Sequence, residues 1–251
     1  MLRTFSAFFV VLLFGCIFGP LCLLLTLFQK NQNLLYWLGG IGCQLGLTVA
    51  GIKIEVRGLE FLNPDQNYLF LANHQSYCDP LAIISTIPLN IRLILKKELQ
   101  QIPLLGIIMN KGGFIFINRC KRIESFKKMV NIVDQLKQGY SFLIYPEGTR
   151  TRTGHLGSFK KGVFALAINS KVPIIPITVS GSYAIMPPSS FLIKSGTIKL
   201  TLNQPILTNR FHLRDRHLLM HQVRETIIKN LQNSEKPSSN HEQKEALQQT
   251  H

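Results

Sequence analysis

Residues 71–83 have the sequence LANHQSYCDPLAI and place a histidine, His74, five positions before an aspartate, Asp79. A neutral imidazole titrates near pH 7 and can accept a proton in a reaction, and a carboxylate can fix the orientation of its ring. The same residues fit a structural interpretation, because aspartate before proline is typical of the N-cap and first position of a helix. Taken alone, Asp79 and Pro80 favour the helix cap, and His74 beside them would be an ordinary loop residue.

Beyond residue 51 the chain alternates between short apolar segments and helix-like segments. Apolar runs or alternating polarity predict seven strands, at residues 52–57, 68–72, 91–95, 113–117, 141–145, 172–179 and 197–202. Helical patterns fall at residues 80–86, 123–137, 159–169 and 213–231. This alternation predicts an α/β fold with a mixed, largely parallel sheet flanked by helices. The first of the strands alternates in polarity as an exposed or edge strand does.

Three of the predicted strands are followed directly by polar residues. Asn73 and His74 follow the second strand, Asn118 and Arg119 follow the fourth, and residues 145–150 (YPEGTR) follow the fifth. Ligands of an open parallel sheet bind at the carboxyl ends of its strands. If the three strands are parallel, their polar ends lie at one edge. This convergence favours a functional site over three separate structural explanations, namely a loop histidine, a solvated strand-end charge and a turn.

The N-terminal part of the chain is apolar. Residues 5–28 carry no charge and form a run long enough to span a bilayer. No convincing signal-peptide cleavage site follows it, so retention in the membrane is favoured. Residues 34–51 form a second apolar stretch, whose glycines weaken it as an independent spanning helix but permit close helix packing. We expect a membrane-embedded two-helix hairpin that spans the bilayer or dips into one leaflet; the alternative is a buried helix pair of a soluble protein.

These patterns divide the chain into three parts: an N-terminal membrane hairpin at residues 1–50, an α/β domain at residues 51–232, and a polar tail at residues 233–251. The tail has few apolar residues, and we expect it to be disordered. The five cysteines show no C-x-x-C spacing, and their positions support neither a zinc site nor a disulfide framework.

Positive charge is concentrated in the middle of the chain. The whole sequence has 28 Lys and Arg against 13 Asp and Glu, and residues 91–171 alone hold 15 against 4. A basic surface of this kind attracts anionic partners such as lipid headgroups, phosphorylated small molecules or nucleic acid. Nucleic acid is disfavoured, since no recognised nucleic-acid motif is present and the apolar N-terminal part indicates a membrane.

Four sequence blocks, in order along the chain, resemble those of the 1-acylglycerol-3-phosphate (lysophosphatidic acid) acyltransferase family, PlsC type. Their residues here are Asn73, His74 and Asp79 (N-H-x-x-x-x-D), then Lys96, Pro103, Gly106 and Arg119, then residues 145–150 (YPEGTR), and finally residues 172–176 (VPIIP). Two departures occur: Tyr145 stands where the family usually has Phe, and Asn118 stands where many members carry Asp. Neither changes the chemistry that the resemblance implies.

The resemblance implies a chemical role for the first block. His74 would be the general base that removes the proton of an attacking hydroxyl, and Asp79 would orient its ring and stabilise the imidazolium. Asp79 could cap the next helix as well. Ser76 and Cys78 lie inside the block at positions that the family leaves variable, and direct transfer is favoured over a covalent intermediate.

The resemblance assigns phosphate binding to three cations, Lys96, Arg119 and Arg150, with Lys97 as the reserve candidate for Lys96. An arginine can bind a phosphate with two parallel hydrogen bonds, and the backbone amides beside it add donors. A carboxylate would repel a phosphate, so Glu147 is expected to organise the site loop, which also contains Gly148 and Thr149, or to contact the glycerol hydroxyl.

The implied function is that of a membrane-bound acyltransferase, which moves a fatty acyl group from acyl-CoA or acyl carrier protein to the sn-2 hydroxyl of 1-acylglycerol 3-phosphate and gives phosphatidate. No cofactor and no metal site are expected, since no spacing of His, Cys, Asp or Glu resembles a metal site. The expected partners are lysophosphatidate, the acyl donor and a bilayer, with the catalytic domain facing the cytoplasm at a bacterial inner membrane or its equivalent. The alternatives are an acyltransferase for another lysophospholipid and a non-catalytic membrane protein that binds anionic lipid.

Overall fold

The computed structural model describes residues 1–28, 32–118 and 122–235. The helices in these ranges are α1 (Leu2–Phe28), α2 (Asn33–Val49), α3 (Cys78–Thr86), α4 (Leu105–Lys111), α5 (Arg122–Lys137), α6 (Lys161–Ser170), α7 (Ser182–Ile185) and α8 (Arg216–Glu235). The strands are β1 (Ile52–Arg57), β2 (Leu69–Ala72), β3 (Ile91–Lys96), β4 (Ile115–Ile117), β5 (Ser141–Ile144), β6 (Ile174–Ser180) and β7 (Gly196–Leu202). All seven predicted strands and all four predicted helices of the α/β part are present.

The strands form one sheet in the order β1-β7-β6-β2-β5-β3-β4. From β6 to β4 the neighbouring strands are parallel. β7 is antiparallel to β6 and parallel to β1, so the last two strands run the opposite way. The predicted mixed, largely parallel sheet is confirmed, and β1 lies at its edge as its alternating sequence indicated.

Helices cover both faces of the sheet and bury two apolar clusters. On one face Leu47, at the end of α2, and Ile83 of α3 pack against the strands. On the other face Phe164 of α6 and Val223 of α8 do the same, together with residues of α5. Successive side chains of β2 alternate between the two clusters, as the two-residue period of a strand requires. The central strands are therefore buried on both sides, and their ends are held in fixed positions.

The glycines of α2 bring α1 into close contact with it. Gly46 faces Val11 and Gly42 faces the ring of Phe14, and a Cβ added to Gly46 would lie 2.6 Å from a Val11 methyl carbon. The later residue of α1, Phe14, meets the earlier glycine of α2, Gly42, so the two helices are antiparallel. The predicted hairpin and its close packing are present, whereas its embedding in a membrane stays a prediction.

Helix α1 is held by the α/β domain near both of its ends. The Thr4 hydroxyl accepts a hydrogen bond from the Ile193 N–H at 2.9 Å, and Gly19 lies against Leu104 and Ile108. Between these contacts most of the helix is exposed. Its residues Leu2–Leu24 are long and apolar enough to cross a membrane, and no second stretch of the described residues meets that criterion. Only 17% of an 18-residue window of this stretch is buried, so most of α1 is left uncovered by the rest of the described chain.

Several elements differ from the sequence-based expectations in their presence or their bounds. Helix α4 was not predicted, because Pro103 and Gly112 enclose a segment too short to show a helical period. Helix α3 begins at Cys78 rather than at Pro80. Helix α8 continues to Glu235, so the first three residues of the predicted disordered tail are helical; the rest of that tail lies outside the described residues.

Candidate active site

The predicted site residues follow the carboxyl ends of neighbouring parallel strands. His74 lies just after β2, Lys96 is the last residue of β3, and the YPEGTR loop follows β5. Since β2 pairs with β5 and β5 pairs with β3, these three chain segments leave the sheet at the same edge. Arg119, two residues after the end of β4 in the sequence, lies outside the described residues. The expected convergence of the described polar ends is therefore present.

His74 and Asp79 form a hydrogen-bonded pair, with 2.8 Å between His74 Nδ1 and Asp79 Oδ2. The Asp79 side chain is fully buried, whereas 16% of the His74 side chain is exposed. An ionised carboxylate only accepts hydrogen bonds, so we assign the proton of neutral His74 to Nδ1. The ring atom Nε2 then carries the lone pair, and this is the arrangement that a general base requires.

Asp79 is not the N-cap of α3, and this part of the structural interpretation is wrong. The helix begins one residue earlier, and Asp79 lies within its first turn. Its Oδ2 also accepts the N–H groups of Gln75 at 2.6 Å and Ser76 at 2.8 Å, both before the helix. One carboxylate oxygen therefore stabilises the turn between β2 and α3 and also orients the His74 ring.

Asn73 fixes the end of β2 against β6. Its side-chain amide donates to the Val179 carbonyl at 2.8 Å, and its Oδ1 accepts the Val179 N–H at 2.7 Å. The side chain is buried, with 1% of the residue exposed. This pair of bonds continues the strand pairing by one residue and determines where the chain turns towards His74.

Glu147 fastens the backbone of His74. Its Oε1 accepts the His74 N–H at 2.8 Å, and its Oε2 accepts the Gly157 N–H at 2.7 Å. The His74 carbonyl in turn accepts the N–H of Thr151 at 2.9 Å. Burial raises the pKa of the Glu147 carboxyl, although the two backbone N–H groups act in the opposite direction. Both carboxylate oxygens are occupied, so the geometry supports the loop-organising role over contact with a glycerol hydroxyl.

Gly148 makes the turn that the YPEGTR loop requires. Its φ of +73° lies in the left-handed region, which side chains rarely adopt. The Gly148 N–H donates to the Tyr145 carbonyl at 2.9 Å and closes the turn. Thr149, the next residue, is exposed. The turn therefore presents its outer side to solvent at the sheet edge.

Arg150 lies over the ring of Tyr77, with 3.4 Å between its guanidinium carbon and the ring centroid. Tyr77 lies three residues after His74, so this stacking places the guanidinium on the same edge as the catalytic candidates. Its Nη1 is buried and has no hydrogen-bond partner among the described residues. A guanidinium held flat with a free N–H donor is arranged to receive an anion.

Lys96 is oriented less strictly than Arg150. Its side chain is 63% exposed and forms a surface ion pair with Glu98, at 3.2 Å between Nζ and Oε1. Such a pair contributes about 0–1 kcal/mol and can reorganise at little cost. Lys97, the reserve candidate, begins a 3₁₀ turn that directly follows β3. The structure thus places Lys96 at the predicted edge without fixing its ammonium group.

Tyr145 contacts the catalytic histidine candidate in a way that the sequence did not indicate. It lies just beyond β5 rather than within it, and its ring stacks on the His74 ring with 3.9 Å between centroids and 14° between planes. The Tyr145 hydroxyl is buried without a hydrogen-bond partner among the described residues. Burial, and next the charge of Asp79, raise the pKa of this phenol. The Tyr145 ring fixes the plane of the imidazole. Its buried hydroxyl without a partner lowers the free energy of unfolding relative to phenylalanine at this position.

Ser76 and Cys78 are not presented as nucleophiles. The Ser76 hydroxyl donates to the Met186 carbonyl at 2.8 Å, and the residue is fully buried. Cys78 is 3% exposed, and burial raises the pKa of its thiol. The Ser76 hydroxyl also accepts the Cys78 N–H at 3.2 Å and so holds the turn before α3 in place. Within the described ranges no three His, Cys, Asp or Glu side chains are grouped so that they could hold a metal ion.

Known proteins are similar to this chain in sequence. Residues 53–180 match the model of the Acyltransferase family. The 1-acyl-sn-glycerol-3-phosphate acyltransferase of Saccharomyces cerevisiae is 31% identical over 81% of this chain and 68% of its own length. The chloroplastic 1-acyl-sn-glycerol-3-phosphate acyltransferase LPAT1 of Arabidopsis thaliana is 33% identical over 61% of this chain and 44% of its own length. The chain thus spans about half of the length of the plant relative.

A solved structure confirms the architecture. The crystal structure of the 1-acyl-sn-glycerophosphate acyltransferase PlsC from Thermotoga maritima superposes with a TM-score of 0.83. The likeness covers 94% of this chain and 97% of the other at 23% sequence identity, so it establishes the fold. The matched range 53–180 contains His74, Asp79 and the YPEGTR loop. By this match and by its likeness to the yeast enzyme, the chain belongs to the Acyltransferase family.

Proposed function

We propose that this protein is a membrane-bound acyltransferase that transfers a fatty acyl group from acyl-CoA or acyl carrier protein to the sn-2 hydroxyl of 1-acylglycerol 3-phosphate. The observation that carries this proposal is the His74–Asp79 pair. Its Nδ1 side is occupied by a buried carboxylate, and the ring lies at the same sheet edge as the stacked guanidinium of Arg150. A base and an anion-binding group at one edge fit an acceptor that carries both a hydroxyl and a phosphate.

In the reaction, His74 Nε2 takes the proton as the acceptor oxygen attacks the thioester carbonyl carbon. A C–O bond forms, the C–S bond breaks, and the imidazolium returns the proton to the departing thiolate. The products are phosphatidate and the free thiol. Asp79 stabilises the imidazolium through the bond to Nδ1, as the carboxylate of a catalytic triad does. The chemistry asks for no cofactor beyond the acyl donor.

The acceptor phosphate is assigned to Arg150, with Lys96 and Arg119 as further cations. Arg150 has a buried donor without a partner, and Lys96 lies at the end of the strand that neighbours β5. The +15 net charge of the chain attracts both an anionic acceptor and an anionic donor to the membrane surface.

The N-terminal hairpin supplies the membrane attachment. The contacts at Thr4 and Gly19 are about 22 Å apart along α1, from the rise of a helix per residue. Both contacts are with the α/β domain, so α1 lies along that domain rather than crossing a hydrocarbon core of about 30 Å. This supports insertion into one leaflet, with the basic domain at the cytoplasmic surface of a bacterial inner membrane or its equivalent.

Extraction of isolated membranes tests the attachment. Because apolar burial holds α1, the protein should remain in the membrane fraction in high salt and enter solution only with detergent. Release by salt alone would show that the basic surface is the anchor.

An acceptor panel tests the function. Detergent-solubilised protein, labelled acyl-CoA or labelled acyl carrier protein, and a series of lysolipids should give labelled phosphatidate most rapidly from lysophosphatidate. A higher kcat/KM for another lysophospholipid would identify that lipid as the acceptor without contradicting the mechanism. Binding of anionic lipid without transfer to any acceptor would contradict the enzyme and favour a lipid-binding membrane protein.

A further inference from the structure

Lys160 lies beside the YPEGTR loop, although it belongs to none of the four sequence blocks. It directly precedes α6, and its backbone N–H donates to the Pro146 carbonyl at 2.8 Å. This bond fixes its backbone to the loop that follows β5. The backbone of Lys160 therefore has a defined position relative to the loop.

The Lys160 side chain folds back over the turn at Gly148. A Cβ added to Gly148 would lie 2.5 Å from both Cε and Nζ of Lys160. The ammonium group therefore rests directly against the glycine backbone, two residues before Arg150. A side chain at position 148 would displace this flexible lysine end, whereas the positive φ is what requires glycine there.

The carboxylate nearest in sequence to this turn is already occupied. Both oxygens of Glu147 accept backbone N–H groups, those of His74 and Gly157. None of the ion pairs formed by the described residues includes Lys160, and the first turn of α6 contains no acidic residue. The side chain is also exposed. An ammonium group thus lies at the candidate site with no carboxylate of the described chain to neutralise it.

We propose that Lys160 is a phosphate-binding residue of the active site and contacts a phosphate group of a bound substrate. The inference rests on the proposed function and adds a cation to the site. The phosphate can belong to the lysolipid acceptor or to coenzyme A, and both present the same charged oxygens. Its place against Gly148, two residues before Arg150 in the sequence, favours the acceptor. An ammonium donates to such oxygens as a point charge, without the two-pronged geometry of arginine.

Lys161 offers a matched control. It is the next residue, it is exposed, and its removal changes the net charge of the chain by the same amount. Lys160→Met should raise the KM for lysophosphatidate about tenfold or more, the effect of losing one charge-assisted hydrogen bond. Lys161→Met should change it less than twofold, and Lys160→Arg should restore part of the loss. A rise in the KM for acyl-CoA instead, with the KM for lysophosphatidate unchanged, would assign the contact to the donor phosphates.

A binding measurement separates this inference from the proposed reaction. Glycerol 3-phosphate carries the acceptor headgroup without the acyl chain, and its Kd can be measured by calorimetry on the detergent-solubilised full chain. The Kd should be higher for Lys160→Met than for Lys161→Met, whatever the turnover of either variant. Equal KM values for both substrates and equal Kd values in the two variants would overturn the assignment. Failure of the wild-type protein to acylate any acceptor would refute the proposed function and leave the binding comparison to decide on Lys160.

Discussion

Asp79 is fully buried and accepts three hydrogen bonds, whereas the Lys96 side chain, at the same edge of the sheet, is 63% exposed with one surface partner. The groups proposed for proton transfer are fixed before any substrate arrives, whereas Lys96, one of the cations proposed for the phosphate, is free to adjust. Proton transfer depends on the direction of one lone pair, so a small displacement is costly. Attraction between a cation and a phosphate falls off gradually with distance and tolerates movement.

The largest expected effect lies on the fixed side of this comparison. His74→Ala and Asp79→Ala should each lower kcat roughly 10²–10⁴-fold, the range attributed to general acid–base catalysis. The KM for lysophosphatidate should change little, since neither side chain is assigned to the phosphate. Asp79→Ala should also lower the free energy of unfolding, because the N–H groups of Gln75 and Ser76 lose their acceptor. Steady-state kinetics and chemical denaturation of the purified variants measure both quantities.

The next largest effect is expected among the cations proposed for the phosphate. Arg150→Ala should raise the KM for lysophosphatidate by about 10–100-fold, as expected for the loss of charge-assisted hydrogen bonds. Arg150→Lys should recover part of it, because the charge remains and the planar donor is lost. Wild-type protein should discriminate against monoacylglycerol, which lacks the phosphate, and Arg150→Ala should lose much of that discrimination.

Tyr77 supplies the control for the Arg150 experiment. Tyr77→Phe keeps the ring under the guanidinium and should leave the KM close to that of the wild type, while Tyr77→Leu should raise it. If Arg150→Ala kept the full preference for the phosphorylated acceptor, the phosphate would have to be assigned to Lys96, Arg119 and Lys160.

A smaller effect on kcat is expected at Glu147, which lies in the YPEGTR loop and holds the backbone of His74. This carboxylate holds the His74 backbone, and Glu147→Ala should leave two N–H groups unpaired at a cost of about 1–3 kcal/mol each in stability. The kcat should fall with a smaller factor than in His74→Ala, because the imidazole and Asp79 are still present. A kcat equal to that of the wild type would show that the bond to the His74 N–H does not position the ring.

The pH dependence of stability gives a separate test of Glu147. Burial raises the pKa of its carboxyl in the folded protein above the ordinary value of 4.5. Its contribution is therefore fully present below pH 4.5 and is lost as the pH rises through the folded-state pKa. Glu147→Gln does not titrate, so its free energy of unfolding relative to wild type should increase between about pH 4 and pH 7. A constant difference over that range would show that the pKa is not raised.

The smallest effect is expected at Tyr145. Tyr145→Phe keeps the ring that stacks on His74 and removes a buried hydroxyl without a partner, so kcat should stay within about twofold and the free energy of unfolding should rise by about 1 kcal/mol. Tyr145→Leu removes the stacked ring and should lower kcat. A large loss of activity in Tyr145→Phe would show that the hydroxyl itself takes part, through a contact formed only with substrate.

Sequence patterns predicted the strands, the helices with a clear apolar period, and the sheet edge at which His74 and the YPEGTR loop lie. The strands followed from apolar runs, and the placement of His74 and the YPEGTR loop at one edge followed from parallel pairing. The antiparallel pairing of β6 with β7 was not predicted, since strand direction depends on the path of the whole chain. The stacking of Tyr145 on His74 and the place of Lys160 against Gly148 were not predicted, because both are tertiary contacts. The helix cap assigned to Asp79 failed for a similar reason, since its acceptor oxygen serves the turn before the helix.

The most direct test of the central claim is one assay of four proteins: wild type, His74→Ala, Asp79→Ala and the double variant. Each is given labelled acyl-CoA with lysophosphatidate, and the rate of labelled phosphatidate formation is measured under saturating conditions. Since the two side chains act as one unit, the double variant should be little slower than His74→Ala alone. Full activity in His74→Ala, or losses in the single variants that simply multiply in the double variant, would contradict a general base oriented by Asp79.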